Sequence, residues 1–286
     1  MHPCLCGHSE SRHVFPIVKL DESKNIRIVQ CLNCNQYRTF PSPMSEQGEA
    51  DKLYDAPEYF LGAEINPASW MKMQEGLLQN ILDFKKGGSL LDIGCGMGFL
   101  PESARRMGFK ARGIDLNSHA VAKGQKMFPE LDISCSGLDT IANNSIDIIV
   151  LNHVIEHVID PISFLKEVSE KLRPDGILII GVPNLMGGIP RFLRMLNHVS
   201  GIPGSSWTWF GYQLEQHVWH FTPKLMRKML EKNNWKILRL RSDLNMYYGA
   251  TELPQLRYRV LKFIWNFFEK LKMGDNLLVI VGRSKK

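Results

Sequence analysis

Three groups of residues in this chain have the types and spacing to do chemistry. The first is Asp92, Gly94, Gly96 and Gly98, within the run Leu90-Leu91-Asp92-Ile93-Gly94-Cys95-Gly96-Met97-Gly98, together with Asp115 further along. The second is four cysteines in two close pairs, Cys4 with Cys6 and Cys31 with Cys34. The third is four histidines, His153, His157, His217 and His220, any of which could take a proton.

Ser89 to Ile93 is a short apolar run that ends in closely spaced glycines, and an amphipathic pattern follows from Phe99. The segment therefore predicts strand, tight turn and helix. Glycine is needed where the backbone takes positive φ or lies against a ligand, and the helix behind the turn offers free N–H groups to polar atoms. The spacing is G-x-G-x-G with Asp92 two residues ahead, whereas the dinucleotide fingerprint is G-x-G-x-x-G with no carboxylate there. A carboxylate in that place suits an ammonium group better than a pyrophosphate. Lys110 to Ile114 reads as a second strand ending in Asp115, whose carboxylate could accept both hydroxyls of a ribose. A nucleoside joined to an amino acid fits the two acids together.

The cysteine pairs bracket an alternating stretch, Val14 to Leu20, a polar turn at residues 21–25 and Ile26 to Gln30, which reads as a hairpin. Two such knuckles held by a hairpin make a zinc ribbon, in which four thiolates close a structural tetrahedral site that so small a piece needs in order to fold. The first pair is C-x-C rather than the common C-x-x-C, so His2 or His8 could replace Cys4 as a ligand. Reduced thiols without metal are the plain alternative.

The glycine turn resembles motif I of the class I S-adenosylmethionine-dependent methyltransferases, an acidic residue followed by G-x-G-x-G, and Asp115 stands where their motif II places the acid that binds ribose. The resemblance continues through Asn152-His153-Val154-Ile155-Glu156-His157-Val158 and Leu172-Arg173-Pro174-Asp175-Gly176, and spans roughly 88–282. These segments are similar to the ubiquinone-biosynthesis-type methyltransferases and the related type 11, 12 and 23-like group. The resemblance implies an α/β fold, a doubly wound Rossmann-like sheet of seven strands with the ribbon as a small N-terminal appendage. It implies S-adenosylmethionine as cofactor, held by Asp92, Gly94, Cys95, Gly96, Gly98, Asp115 and Leu116, by Gly137 and Leu138 at the adenine, and by Asn152 and His153 near the sulfonium. Many small-molecule and sugar methyltransferases of this broad group carry a similar ribbon, which supports structural zinc at Cys4, Cys6, Cys31 and Cys34.

The elements that must position these residues follow in order. Residues 1–44 form the ribbon, 45–88 a linker with lid helices, and 89–286 the catalytic domain, with insertions about 183–222 and 245–275. Ser45 reads as a helix cap, Pro67 to Phe84 as a helix, and Tyr59 and Phe60 as lid or core residues. Ser145 to Leu151 is apolar after Asp147, as a strand buried on both faces should be, and it delivers Asn152 and His153 to the ligand end of the sheet. Glu156 and His157 would share a face with His153 if the segment is helical, making His157 either a base or a histidine bonded to backbone. The insertion after the fifth strand is rich in Gly, Trp and Pro and is placed to build an acceptor pocket. Its His217 and His220 could deprotonate an acceptor or anchor the insertion to the sheet. Trp235 to Arg241 and Asn276 to Val281 read as an antiparallel pair. Between them 254–273 is a basic, apolar helix that suits packing, a dimer interface or a lipid-linked acceptor at a membrane surface.

Size and composition set the outer bounds. The 286 residues, 44% hydrophobic and 22% charged, suffice for one α/β domain and an appendage. The net charge of +6 permits an anionic acceptor, nucleic acid or a membrane without requiring any. No apolar run approaches the ~18 residues of a membrane span and no leader opens the chain, so a cytoplasmic monomer or homodimer is expected. The first functional expectation is methylation of a small molecule such as a sugar, glycolipid or envelope precursor. The competing ones are a ribosomal-RNA methyltransferase and a catalytically silent binding protein. An N-P-P-Y-type segment is absent after the fourth strand, which argues against methylation of base amino groups, and the glycine spacing argues against an NAD-dependent oxidoreductase.

Overall fold

The computed structural model describes residues 4–14, 18–19, 25–42, 66–188, 216–243 and 273–284, with residues 191, 267 and 271. Its centre is a seven-stranded sheet. The strands in chain order are β5 (Ser89–Ile93), β6 (Lys110–Asp115), β7 (Asp132–Cys135), β8 (Ile146–Asn152), β9 (Leu172–Pro183), β11 (Trp235–Asp243) and β12 (Asn276–Arg283). Their order across the sheet is β11-β12-β9-β8-β5-β6-β7. All neighbours are parallel except β12, which runs antiparallel to both β9 and β11. The chain leaves β5 toward β6 and β7 and returns on the other side of β5 at β8. That reversal opens a crevice beyond the C-terminal ends of β5 and β8, where open α/β sheets hold their ligands.

Period-two alternation sorts the strand residues onto two cores. Leu91, Ile93, Ile149, Leu151, Leu178, Ile180, Val279 and Val281 face one, and Leu90, Ile148, Val150, Ile177, Ile179, Leu278 and Ile280 face the other. Each aliphatic side chain removed from water on both faces contributes about 1.5–3 kcal/mol, which is why these strands carry continuous apolar runs. Helices α1 (Pro67–Leu82) and α2 (Phe99–Arg106) cover the second core, with Leu77, Leu78, Ile81, Leu100 and Ala104. Helices α4 (Pro161–Lys171) and α5 (Pro223–Lys232) cover the first, with Leu165, Val168, Met226, Met229 and Leu230. Helix α3 (Ser118–Met127) follows β6.

Among the described residues, three of the five α-helices start in the same way: a side-chain cap is followed by proline, at Asn66-Pro67, Asp160-Pro161 and Thr222-Pro223. The cap oxygen accepts an orphan N–H, and proline has none to lose. Helix α2 differs. Its N-cap is Gly98, left-handed at φ 82°, with no side-chain hydrogen bond to the first turn.

The cysteine segment forms a second, small sheet in the order β1-β3-β4-β10, with β2 also paired to β3. Strands β1 (Ser11–His13), β2 (Val18–Lys19) and β4 (Tyr37–Phe40) all run antiparallel to β3 (Asn25–Cys31), which includes the expected hairpin. Its last member, β10 (Trp219–His220), comes from the insertion far along the chain and pairs with β4. The small sheet is thus tied by backbone pairing to a segment that leads into the large one. Trp219 is 2% exposed and its indole N–H donates to Val158 O at 2.9 Å, so the same strand is also anchored in the main core.

Tyr54, Tyr59 and Phe60, the expected cap at Ser45, and nearly all of 254–273 lie outside the described residues. Of that last segment Phe267, Leu271 and Met273 are described, and the first two are more than half exposed. Among the described residues no helix is long and apolar enough to cross a membrane.

Candidate active site and cysteine centre

The glycine turn closes on the end of β6. Gly94 N–H and Cys95 N–H both donate to Ile114 O, at 2.8 and 3.1 Å. Gly94, Gly96 and Gly98 take φ of 76°, 54° and 82°, a region that costs other L residues about 1–2 kcal/mol. A Cβ on Gly94 would also lie 2.7 Å from Val154 Cγ2, in the loop after β8. The turn is therefore held in shape by both neighbouring strand ends.

Asp115 stands at the rim of this turn. One of its oxygens accepts Gly96 N–H at 2.6 Å and the other accepts Asn117 N–H at 2.7 Å, which fixes the carboxylate plane. Asn117 in turn caps α3 through Ala120 N–H at 2.7 Å. Asp92 lies inside β5, 4% exposed. Burial, and then the charge of Asp115, holds its carboxyl well above the usual carboxylate range. Burial likewise raises Asp115 against three backbone N–H groups that lower it. Cys95, beside them, is pushed up by burial and then by the same two acids. A site in which two acids resist ionising together is one that a cation would stabilise.

The other expected cofactor residues fall around the same crevice. Ser136 N–H donates to Asp115 O at 3.1 Å and so brings Gly137 and Leu138 beside it, at the start of a short 3-10 turn, Leu138–Thr140. Leu116 is 46% exposed, an apolar side chain left open next to the acid. Asn152 ends β8 opposite Gly181, where a Cβ would collide with the Asn152 amide oxygen. His153 N–H donates to Gly181 O at 2.8 Å.

The segment 153–157 is a turn and not a helix, with His153 at φ 59°. Glu156 nevertheless meets it: His153 Nδ1 is 3.2 Å from Glu156 Oε1, with the imidazole 41% exposed and the carboxylate 1% exposed. The remaining histidines are buried. His157 is 8% exposed with Nδ1 3.3 Å from Gln216 O, and burial lowers its pKa. His217, 3% exposed, is lowered well below the usual range by burial and then by His157. His220 Nε2 is 2.9 Å from Thr39 Oγ1, and that hydroxyl donates to His217 O at 2.6 Å. His217 and His220 therefore tie the insertion to the ribbon, and His153 is the one of the four with its ring open to solvent.

Residues that sequence reasoning passed over also shape the crevice. A Cβ on Gly113 would sit 2.7 Å from Cys95 Sγ, and one on Gly124 would sit 2.5 Å from Met97 O. Both glycines let neighbouring elements close against the turn. A glycine inside a helical pattern was the available signal at Gly124.

At the ribbon, Cys4, Cys6, Cys31 and Cys34 place their sulfurs within 4.8 Å of one another, and all four are free thiols. Cys4 and Cys34 are 3.3 Å apart and Cys6 and Cys31 3.7 Å apart. A tetrahedron of thiolates at the usual zinc–sulfur length has edges of about 3.8 Å, so the spacing fits one ion. Cys6 is pushed down to about 6, the His8 N–H and the other thiols outweighing its burial, while burial pushes Cys4 up. His8 points instead to Glu10, at 3.7 Å. His2 lies outside the described residues.

Residues 69–240, more than half of the chain, match the family model described as a methyltransferase domain. The chain belongs to that family. Curated relatives include the ubiquinone biosynthesis O-methyltransferases of Idiomarina loihiensis, 29% identical over 42% of this chain and 51% of the relative, and of Parvibaculum lavamentivorans, 34% identical over 33% and 40%. The chain spans about half the length of the curated relatives it matches or less. Among solved structures, the 1,6-didemethyltoxoflavin-N1-methyltransferase of Burkholderia thailandensis, with bound S-adenosylhomocysteine, aligns with TM-score 0.54 at 13% identity over 89% of this chain and 98% of its own. An S-adenosylmethionine-dependent methyltransferase from Archaeoglobus fulgidus aligns with TM-score 0.53 at 17% identity over 78% and 98%. These likenesses show the fold: a Rossmann-like methyltransferase sheet.

Proposed function

We propose that the chain transfers a methyl group from S-adenosylmethionine to a hydroxyl of a small-molecule acceptor. The observation that carries this reading is the pair Asp92 and Asp115, one acid buried and the other half-buried beside the glycine turn, in a chain of the methyltransferase-domain family. Asp92 would act on the amino-acid end of the ligand, Asp115 on the ribose, and Leu116, Gly137 and Leu138 on the adenine, while Gly94, Gly96 and Gly98 would let the backbone lie close against it. Asn152 and His153 would border the transferred methyl.

S-adenosylmethionine supplies a methyl on a sulfonium that an acceptor oxygen displaces in line, with a leaving group that needs no acid. The protein's share is to align the two partners, exclude water and take the acceptor's proton. His153 suits the last task. With Nδ1–H donated to Glu156, its Nε2 keeps a lone pair, and Glu156 stabilises the imidazolium that forms. Relatives named as O-methyltransferases favour a hydroxyl acceptor.

The four cysteines would hold a structural zinc ion, which supplies cross-linking of two turns and no chemistry on the substrate.

Calorimetric titration should show binding of S-adenosylmethionine and none of NAD, and a labelled methyl should pass to the small-molecule fraction of a cell extract. Binding of NAD instead would overturn the activity, and label in RNA would overturn the acceptor class. His153→Gln should lower turnover about 10²- to 10⁴-fold on an ionisable hydroxyl acceptor. Unchanged turnover removes His153 from the proton transfer.

A further inference from the structure

Behind His153 lies a second group of ligand-type side chains, separate from the cysteines. Glu156, His157 and His217 are 0%, 8% and 3% exposed, and each offers a ligand atom within 4.8 Å of the others. Among the described residues, Glu156 Oε2 and His217 Nδ1 are buried without a hydrogen-bond partner. A carboxylate oxygen and an imidazole nitrogen left bare within one buried cluster are anomalous in a folded interior. His157 shows the opposite economy. Its Nδ1–H is directed at Gln216 O, at 3.3 Å, which leaves Nε2 with a lone pair, the orientation that a carbonyl imposes on metal-bound imidazoles.

We propose that Glu156, His157 and His217 form a second metal site, taking one divalent transition ion of the zinc class. Two imidazoles and a carboxylate are a ligand set for such an ion, and a fourth position is left for water. A lone carboxylate facing uncharged imidazoles is compensated in the same step.

The placement gives the ion a task. Glu156 and His157 follow β8 of the catalytic sheet, whereas His217 opens the segment that becomes β10 of the ribbon sheet. Val218 N–H and Trp219 N–H already donate to Glu156 O, at 2.9 and 3.1 Å. An ion here would lock the two sheets together and hold the Glu156 carboxylate that faces His153.

The test uses the tag-free full chain, stripped with a chelator and titrated with cobalt(II). Two equivalents are expected. One should show the thiolate-to-metal charge-transfer band of the cysteine centre, and the other only weak visible bands of nitrogen and oxygen ligands. Cys34→Ser should perturb the first signal alone, and Glu156→Gln and His157→Gln the second alone, with circular dichroism confirming that each variant folds. Uptake of a single equivalent, wholly of thiolate type, overturns the proposal. So does a second equivalent that survives both Glu156→Gln and His157→Gln.

Discussion

The glycine turn and the cysteine centre both crowd together groups that prefer not to be charged side by side, yet they are built in opposite ways. Asp92 and Asp115 stand on consecutive strands of one large sheet, and Gly96 N–H and Asn117 N–H orient the second acid. The sulfurs of Cys4, Cys6, Cys31 and Cys34 come from two short turns on a sheet of few residues, two of whose strands have two residues each. The first site is shaped by the fold before any ligand arrives. The second draws Cys4 and Cys31 into the main core, yet its four thiols would be tied to one another only by a bound ion. Preorganisation is thus supplied by the sheet in one region and would be supplied in part by the ligand in the other.

Removing a ligand from the weaker framework should have the largest effect. Cys31→Ser takes away part of a centre of a kind that contributes about 10–16 kcal/mol in zinc-finger peptides. The segment before residue 42 should become sensitive to limited proteolysis and lose its ion by elemental analysis, while the seven-stranded sheet keeps its circular dichroism. Simultaneous loss of both sheets would erase the contrast drawn here.

In the stronger framework the matching change should leave the fold and spend its effect on the ligand. Asp115→Ala should weaken S-adenosylmethionine binding by about 1–3 kcal/mol, the range for buried hydrogen bonds to a charged group, read by calorimetry. An unchanged affinity would take Asp115 out of the ribose site.

The smallest effect sharpens the electrostatic half of the comparison. Because the folded pKa values of Asp92 and Asp115 lie above the unfolded value near 3.8, the folded chain without ligand retains protons that the unfolded chain has released. Stability from this source falls as pH rises from that value through the raised ones. A cationic ligand demands the ionised acids, so binding should release a fraction of a proton and tighten as pH rises through the same window. Titrations in buffers of different ionisation enthalpy measure this directly, and proton uptake on binding would contradict it.

Much of the catalytic sheet was legible in the sequence because each of its strands carries its own signal. Leu90-Leu91 and Ile148 to Leu151 are apolar on both faces, and glycines with positive φ mark the turn. The start of β9 is less legible: Leu172 already pairs with Ile146, ahead of the exposed residues 173–175 that carry no apolar strand signal. The conformation of 153–157 stayed open in the sequence because positive φ at a histidine has no marker, and a local carboxylate–imidazole contact looks the same at helical spacing. The pairing of β10 with β4 was the least legible feature. Two residues carry no usable periodicity, and their partners at Tyr37 and Arg38 are remote in the chain.

That short strand has a consequence for how such a molecule can be rearranged. With Trp219 and His220 in place, Tyr37 and Arg38 do not present a bare strand edge to other chains. Grafting only the first forty or so residues onto a foreign catalytic core would leave that edge unzipped and prone to clumping. The N-terminal module and the distant His217–Phe221 stretch form one structural unit, and an exchange that swaps both should stay dispersed where a swap of either alone precipitates.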